Sequence, residues 1–170
     1  MATASERQTG RAAPVRTGPV VIGCDASPAS VDALAEAAAL LRGRSALVVT
    51  VWKPGLGFEL VALPASGIGL PPAPIDVSTA LNVERKQFES AQRVAEQAAE
   101  FARQRGLEAE PLVVADDPET PISETLLRLA KERDAAAMVV GAHAHGVILG
   151  GIARAVVREA ECPVLVVREA

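Results

Sequence analysis

The feature that most constrains this chain is a set of five strand-length apolar runs separated by segments of helical spacing. The runs are "PVVIG" from residue 19, "ALVVTVW" (46–52), "EAEPLVVA" (108–115), "AAMVVG" (136–141) and "PVLVVR" (163–168). Most are apolar throughout rather than alternating, so both faces of the sheet must be covered. That is the pattern of a parallel sheet between two layers of helices. Pro111 cannot donate to a ladder and puts the third strand at an edge. With right-handed crossovers the natural arrangement is a five-stranded parallel doubly wound α/β sheet, Rossmann-like, in the order 3-2-1-4-5. In that order the winding reverses between strands one and four, and ligands of open α/β sheets bind beyond the carboxyl ends of those two strands. Here those ends are Gly23-Cys24-Asp25 and Val140-Gly141-Ala142.

The intervening segments read as helices. "SPASVDALAEAAALLR" places Val31, Leu34, Ala35, Ala38 and Leu41 at helical spacing, with Ser27 or Ser30 as cap and Gly43 as stop. A second helix is expected from Ser78 to Arg105, with Val83, Ala91, Val94, Ala98 and Phe101 as its stripe and Gly106 beyond it. At ~1.5 Å per residue it approaches 40 Å, so its first turns should project or fray. Thr120 and Pro121 read as cap and first residue of a third helix carrying Ile122, Leu126, Leu129 and Ala130. A short helix follows from Gly151 to Ala160.

Two segments stand apart. Residues 1–18 have no apolar core and read as a disordered tail before one domain, residues 19–170. Residues 53–77 hold five prolines and four glycines, which marks a long surface loop suited to lie over a cleft or a partner.

Composition removes several classes of function. The chain of 170 residues carries a formal charge of −4, which argues against nucleic acid or an anionic membrane as partner. With one Trp, three Phe and no Tyr, it lacks platforms for stacking bases, and its core must be aliphatic. No apolar run nears the ~18 residues of a membrane span, and the start has no secretory segment, so a cytoplasmic protein is expected. Cys24 and Cys162 lack redox or zinc spacing and read as small hydrophobes beside strands. His143 and His145 lack a third ligand and read as loop histidines, with a phosphate contact from His143 as the other reading; no metal site is expected. Asp116 and Asp117 precede Pro118 and read as turn residues, Ser27 and Ser30 have no partner His, and no Walker A pattern occurs. No catalytic residue is expected, and at most incidental nucleotide hydrolysis.

Across residues 19–168 the order of motifs resembles the universal stress protein family. "VVIGCDASPASVDALAEAA" is similar to its opening strand, aspartate and Ser-rich helix start, and "VVTVW" to its second strand. "ADDPETPISETLLRLAKERDAAAMVVGAH" and "AVVREAECPVLVVR" are similar to its later segments. The resemblance implies an adenine-nucleotide site (ATP or AMP) at Gly23, Asp25, Val51, Val140, Gly141, His143, Gly150, Gly151 and Ile152. Asp25 has a second reading as a side chain capping the first helix.

ATP-binding members carry G-x2-G-x9-G-[ST], whose glycines and final hydroxyl face the phosphates. Here the second glycine is Ala144, the hydroxyl position is Gly151, and eight residues rather than twelve separate Gly141 from Gly150. Eight residues span at most about 28 Å, and the missing hydroxyl removes roughly 1.5–3 kcal/mol. ATP binding in the usual pose is therefore expected to be impaired, leaving a smaller nucleotide or none. The resemblance also implies a homodimer through the edge strand Val164, Leu165, Val166 and Val167. The first expectation is a stress-response module acting through its dimer surface with weak or absent ATP binding. The alternative is an adenine-nucleotide sensor.

Overall fold

The computed structural model describes residues 16–55, 77–143 and 150–169. Residues 1–15 of the expected tail, most of the 53–77 loop, and the positions Ala144, His145 and Gly146 fall outside the described residues; residues 16–18, expected in the tail, instead lie against the domain, Arg16 pairing with Asp134 at 3.1 Å. Five strands are formed: β1 (Val20–Gly23), β2 (Ser45–Trp52), β3 (Glu108–Ala115), β4 (Ala137–Ala142) and β5 (Val164–Arg168). They join into one all-parallel sheet in the order β3-β2-β1-β4-β5. Pro111 lies in the edge strand β3, opposite Val48.

Four helices flank the sheet among the described residues: α1 (Pro28–Leu40), α2 (Val77–Gln104), α3 (Ile122–Glu132) and α4 (Gly151–Glu159). Alternate strand residues feed two cores. Val20, Ile22, Val48 and Val139 pack with α1 and α2 on one face; Val21, Leu47, Val49, Met138 and Val140 pack with α3 and α4 on the other. The first core depends on small residues. Ala33, Ala37, Ala99 and Ala102 are completely buried, which lets the helices lie close to the β-branched sheet. Cys24 belongs to the first core and Cys162 packs against the second, so the sheet separates them.

Four expectations need correction. In α1, Val31 is 40% exposed, and the inward stripe runs through Ala29, Ser30, Ala33, Leu34, Ala37 and Ala38. In α2 the buried residues are Ala80, Ala95, Ala98, Ala99 and Ala102; Val83, Ala91, Val94 and Phe101 flank them, half-buried. Close approach selects alanine for the contact line and pushes larger residues to its margins. Nor do the first turns of α2 project. Ala80 is completely buried, Glu84 accepts a hydrogen bond from the Gly55 amide at 2.8 Å, and Phe88 meets the Trp52 ring edge-on with centroids 5.1 Å apart. Finally, the cap of α3 is Pro121, not Thr120. The Pro121 carbonyl accepts from the Glu124 and Thr125 amides, and its ψ of 138° lies outside the helix. Lys53 Nζ donates to the carbonyls of Pro118 and Thr120, tying the β2 exit to this turn.

Candidate functional site

The chain leaves β1 into α1 on one face and β4 into α4 on the other, which opens a crevice between the two strand ends. A cavity of about 170 Å³ occupies this place. All nine residues singled out from the sequence line it: Gly23 and Asp25 after β1, Val51 in β2, Val140 and Gly141 in β4, His143 beyond it, and Gly150, Gly151 and Ile152 at the start of α4.

The β1–α1 turn is built by its own side chains. Asp25 Oδ1 accepts the Ser27 amide at 2.9 Å, and Ala26 takes the left-handed conformation with φ 64°. Ser27 caps α1, its Oγ accepting the Ser30 amide at 3.3 Å. Ser30 Oγ donates to the Ser27 carbonyl at 2.9 Å and accepts the Asp25 amide at 3.4 Å. Thr50 Oγ1 donates to the Cys24 carbonyl at 2.9 Å, pinning the turn to β2. Partial burial alone would push the Asp25 carboxyl up, but hydrogen bonds from Ser27 and Ser30 outweigh it and hold it below its ordinary value. Asp25 thus organises the turn while remaining exposed to the cavity, and the cap of α1 is Ser27 rather than Asp25.

The β4–α4 side differs. A Cβ on Gly141 would stand 2.3 Å from the Ala29 carbonyl oxygen, so glycine is required where β4 passes the first turn of α1. Among the described residues nothing lies within 4 Å of where a Cβ on Gly150 or Gly151 would be, and neither has positive φ. His143 Nδ1 lies 3.2 Å from Glu169 Oε2, while the Glu169 amide donates to the Ala142 carbonyl at 3.1 Å.

Some lining residues escaped the sequence reading. Ile122 and Leu126 of α3 close the cavity against Val49 and Val51, and Ala29 and Ser30 form its other wall. Ile122 and Leu126 have the spacing of any core helix, and nothing local marks them as lining a site. Asp116, by contrast, is absorbed into structure: Oδ2 accepts Thr125 Oγ1 and Arg128, both at 2.6 Å, and Oδ1 accepts the Asp117 amide at 2.8 Å. Thr125, the Asp117 amide and Arg128 lower its pKa to about 2. Among the described residues no three His, Cys, Asp or Glu side chains gather as a metal site, and no helix is long and apolar enough to cross a membrane.

Residues 119–168 match the universal stress protein family. The match runs from the turn before α3 through β5 and includes one wall of the cavity, leaving Gly23 and Asp25 outside it. A search of curated proteins finds no match. Solved structures similar to this chain include hypothetical protein MJ0577, with a TM-score of 0.64 and 16% identity over 92% of this chain and 99% of that one. A universal stress protein in complex with cAMP superposes with a TM-score of 0.59 at 20% identity, covering 91% and 99%. A universal stress protein family protein from Arabidopsis thaliana with AMP bound gives 0.55 at 15% identity, covering 90% and 92%. At these identities the likeness is one of fold.

Proposed function

We propose that this chain is a non-catalytic, homodimeric stress-response protein of the universal stress protein type that acts through its dimer surface, with weak or absent ATP binding in the strand-end cleft. In this reading residues 19–170 are one cytoplasmic domain following a tail of residues 1–18. The observation that carries it is the convergence of Asp25, Val51, Gly141, Gly150 and Gly151 on one cavity that is only about 170 Å³. Small-molecule sites typically span roughly 300–1,000 Å³. The eight residues between Gly141 and Gly150 add little reach for wrapping a triphosphate.

Dimerisation is inferred from β5, a short apolar strand at the sheet edge. Val164, Leu165, Val166 and Val167 are half-buried, and pairing with a second copy would satisfy the strand's open edge. Val166→Lys should convert dimer to monomer by light scattering; an unchanged mass refutes this interface.

A second reading, a stress sensor binding adenine nucleotide (ATP or AMP) in the cleft between β1 and β4, draws support from the two similar structures that hold cAMP and AMP. Calorimetry with ATP, ADP, AMP and cyclic AMP separates the two. Binding tighter than about 100 µM that disappears in Asp25→Ala supports the sensor; no heat with any nucleotide leaves the dimer surface as the working part.

A further inference from the structure

Residues 16–19 are fixed against the turn that follows α3. Arg16 pairs with Asp134 at 3.1 Å, and the Pro19 carbonyl accepts the Ala136 amide at 3.0 Å. Between them a Cβ on Gly18 would stand 2.2 Å from the Asp134 carbonyl oxygen, so the chain passes here only as glycine. Arg16 thereby lines a second cavity, about 350 Å³, between α3 and the end of α4. The floor of this groove is apolar: Ala130 and Met138 are buried, and Leu127, Ala160 and Cys162 are half-buried. Its rim carries three carboxylates, Glu124, Glu159 and Glu161. The rim cations Arg128 and Lys131 are engaged by Asp116 and Glu161, and Glu159 meets Arg158. Glu124 forms no ion pair among the described residues.

We propose that this groove is the docking site of the chain's own segment before Arg16, with residues 12–15 over the apolar floor and Arg11 beside Glu124. The occupant follows from where the chain enters. Residues 12–15 are Ala-Ala-Pro-Val, joined directly to a side chain that already lines the groove. Pro14 favours extended backbone at Ala13, and an extended segment lays alternate side chains on one surface. Five residues separate Arg16 from Arg11, a reach of about 17 Å. Along α3 the rise from Lys131 back to Glu124 is only about 10 Å, so Arg11 reaches Glu124 with slack. Residues 7–16 hold three arginines and no acid, which complements a rim whose own cations are already engaged. Because the segment is tethered at the groove, docking costs less than it would for a separate partner. This assignment is independent of the nucleotide reading of the strand-end cleft.

The test uses Cys162 as a reporter on the groove floor, since the other thiol, Cys24, is buried in the opposite core. Its reaction with a maleimide is followed by mass spectrometry on the full chain at about pH 8. The double variant Ala13→Asp, Val15→Asp places charge on the apolar floor and should expose Cys162, raising the rate at least about fivefold. Arg11→Glu and Glu124→Arg should each raise it about twofold, and the two combined should return it toward the parent's rate. Equal rates in the parent and the Asp variant overturn the docking. Acceleration by the Asp variant without coupling between positions 11 and 124 overturns the placement of Arg11. Protection of Cys162 that grows with protein concentration across roughly 1–100 µM assigns the groove to a second copy and overturns occupancy by the chain's own segment. Circular dichroism of each variant shows that a faster reaction comes from a folded domain.

Discussion

The two turns that frame the cavity solve the same problem in different ways. The β1–α1 turn is closed on itself: Asp25, Ser27, Ser30 and Thr50 meet its backbone groups, and a left-handed Ala26 is held in place by that network. On the β4–α4 side Gly141 is locked by backbone contact, whereas Gly150 and Gly151 meet no other described residue. Ligand binding at the first turn must work through side chains already engaged in structure. At the second, the glycines at the helix start are not needed for packing, and substitution there can change binding without changing the fold. The glycines flanking this turn are thus not one kind of residue, and their surroundings separate those needed for packing from those that are not.

Substitutions can break this contrast, the largest effect coming from Gly141→Ala. Its Cβ would meet the Ala29 backbone, which a side-chain shift cannot relieve, and a cost of about 3 kcal/mol is expected. Thermal unfolding should fall by roughly 10 °C; an unchanged midpoint would mean that α1 slides freely over β4. Ser27→Ala removes the cap of α1 and should cost about 1 kcal/mol, or roughly 3 °C. A variant as stable as the parent would show that Asp25 alone holds the turn.

Gly151→Ser tests the open side. Stability should stay within about 0.5 kcal/mol, while a hydroxyl at the helix start should tighten AMP binding by about tenfold, the low end for a hydrogen bond to a charged group. Unaltered affinity would place the phosphate elsewhere. The smallest effect concerns a region remote from this contrast. Asp116 has its folded pKa lowered from 3.8 to about 2, so it contributes stability above pH 4 that is lost as pH falls through 2. Asp116→Asn should lower the melting midpoint at pH 7 and have a diminishing effect toward pH 2, as followed by circular dichroism. A pH-independent difference would assign the loss to geometry rather than charge.

The sheet was legible because its signals are local and redundant. Five apolar runs each had strand length, and Pro111 alone chose an edge, so the order β3-β2-β1-β4-β5 followed from the chirality of crossovers. The location of the cavity followed from the same order. Which side of a helix faces the core was less legible. In α1 and α2 the reading favoured large residues such as Val31 and Phe101, whereas close contact put alanines on the line. Hydrophobic size marks a buried stripe when helices sit at ordinary distance, and it misleads when small residues bring them nearer.

The residue sequence by itself determined the parallel sheet and the place where its winding reverses. Those properties depend on composition along short stretches and on rules of handedness that hold for any chain. Tertiary structure decided that Gly141 is needed for packing while Gly151 meets no described neighbour, that Asp116 binds Thr125 and Arg128, and that Ile122 and Leu126 close the cavity. Each depends on a distance between segments far apart in the chain, and such distances are set when helices and sheet pack together.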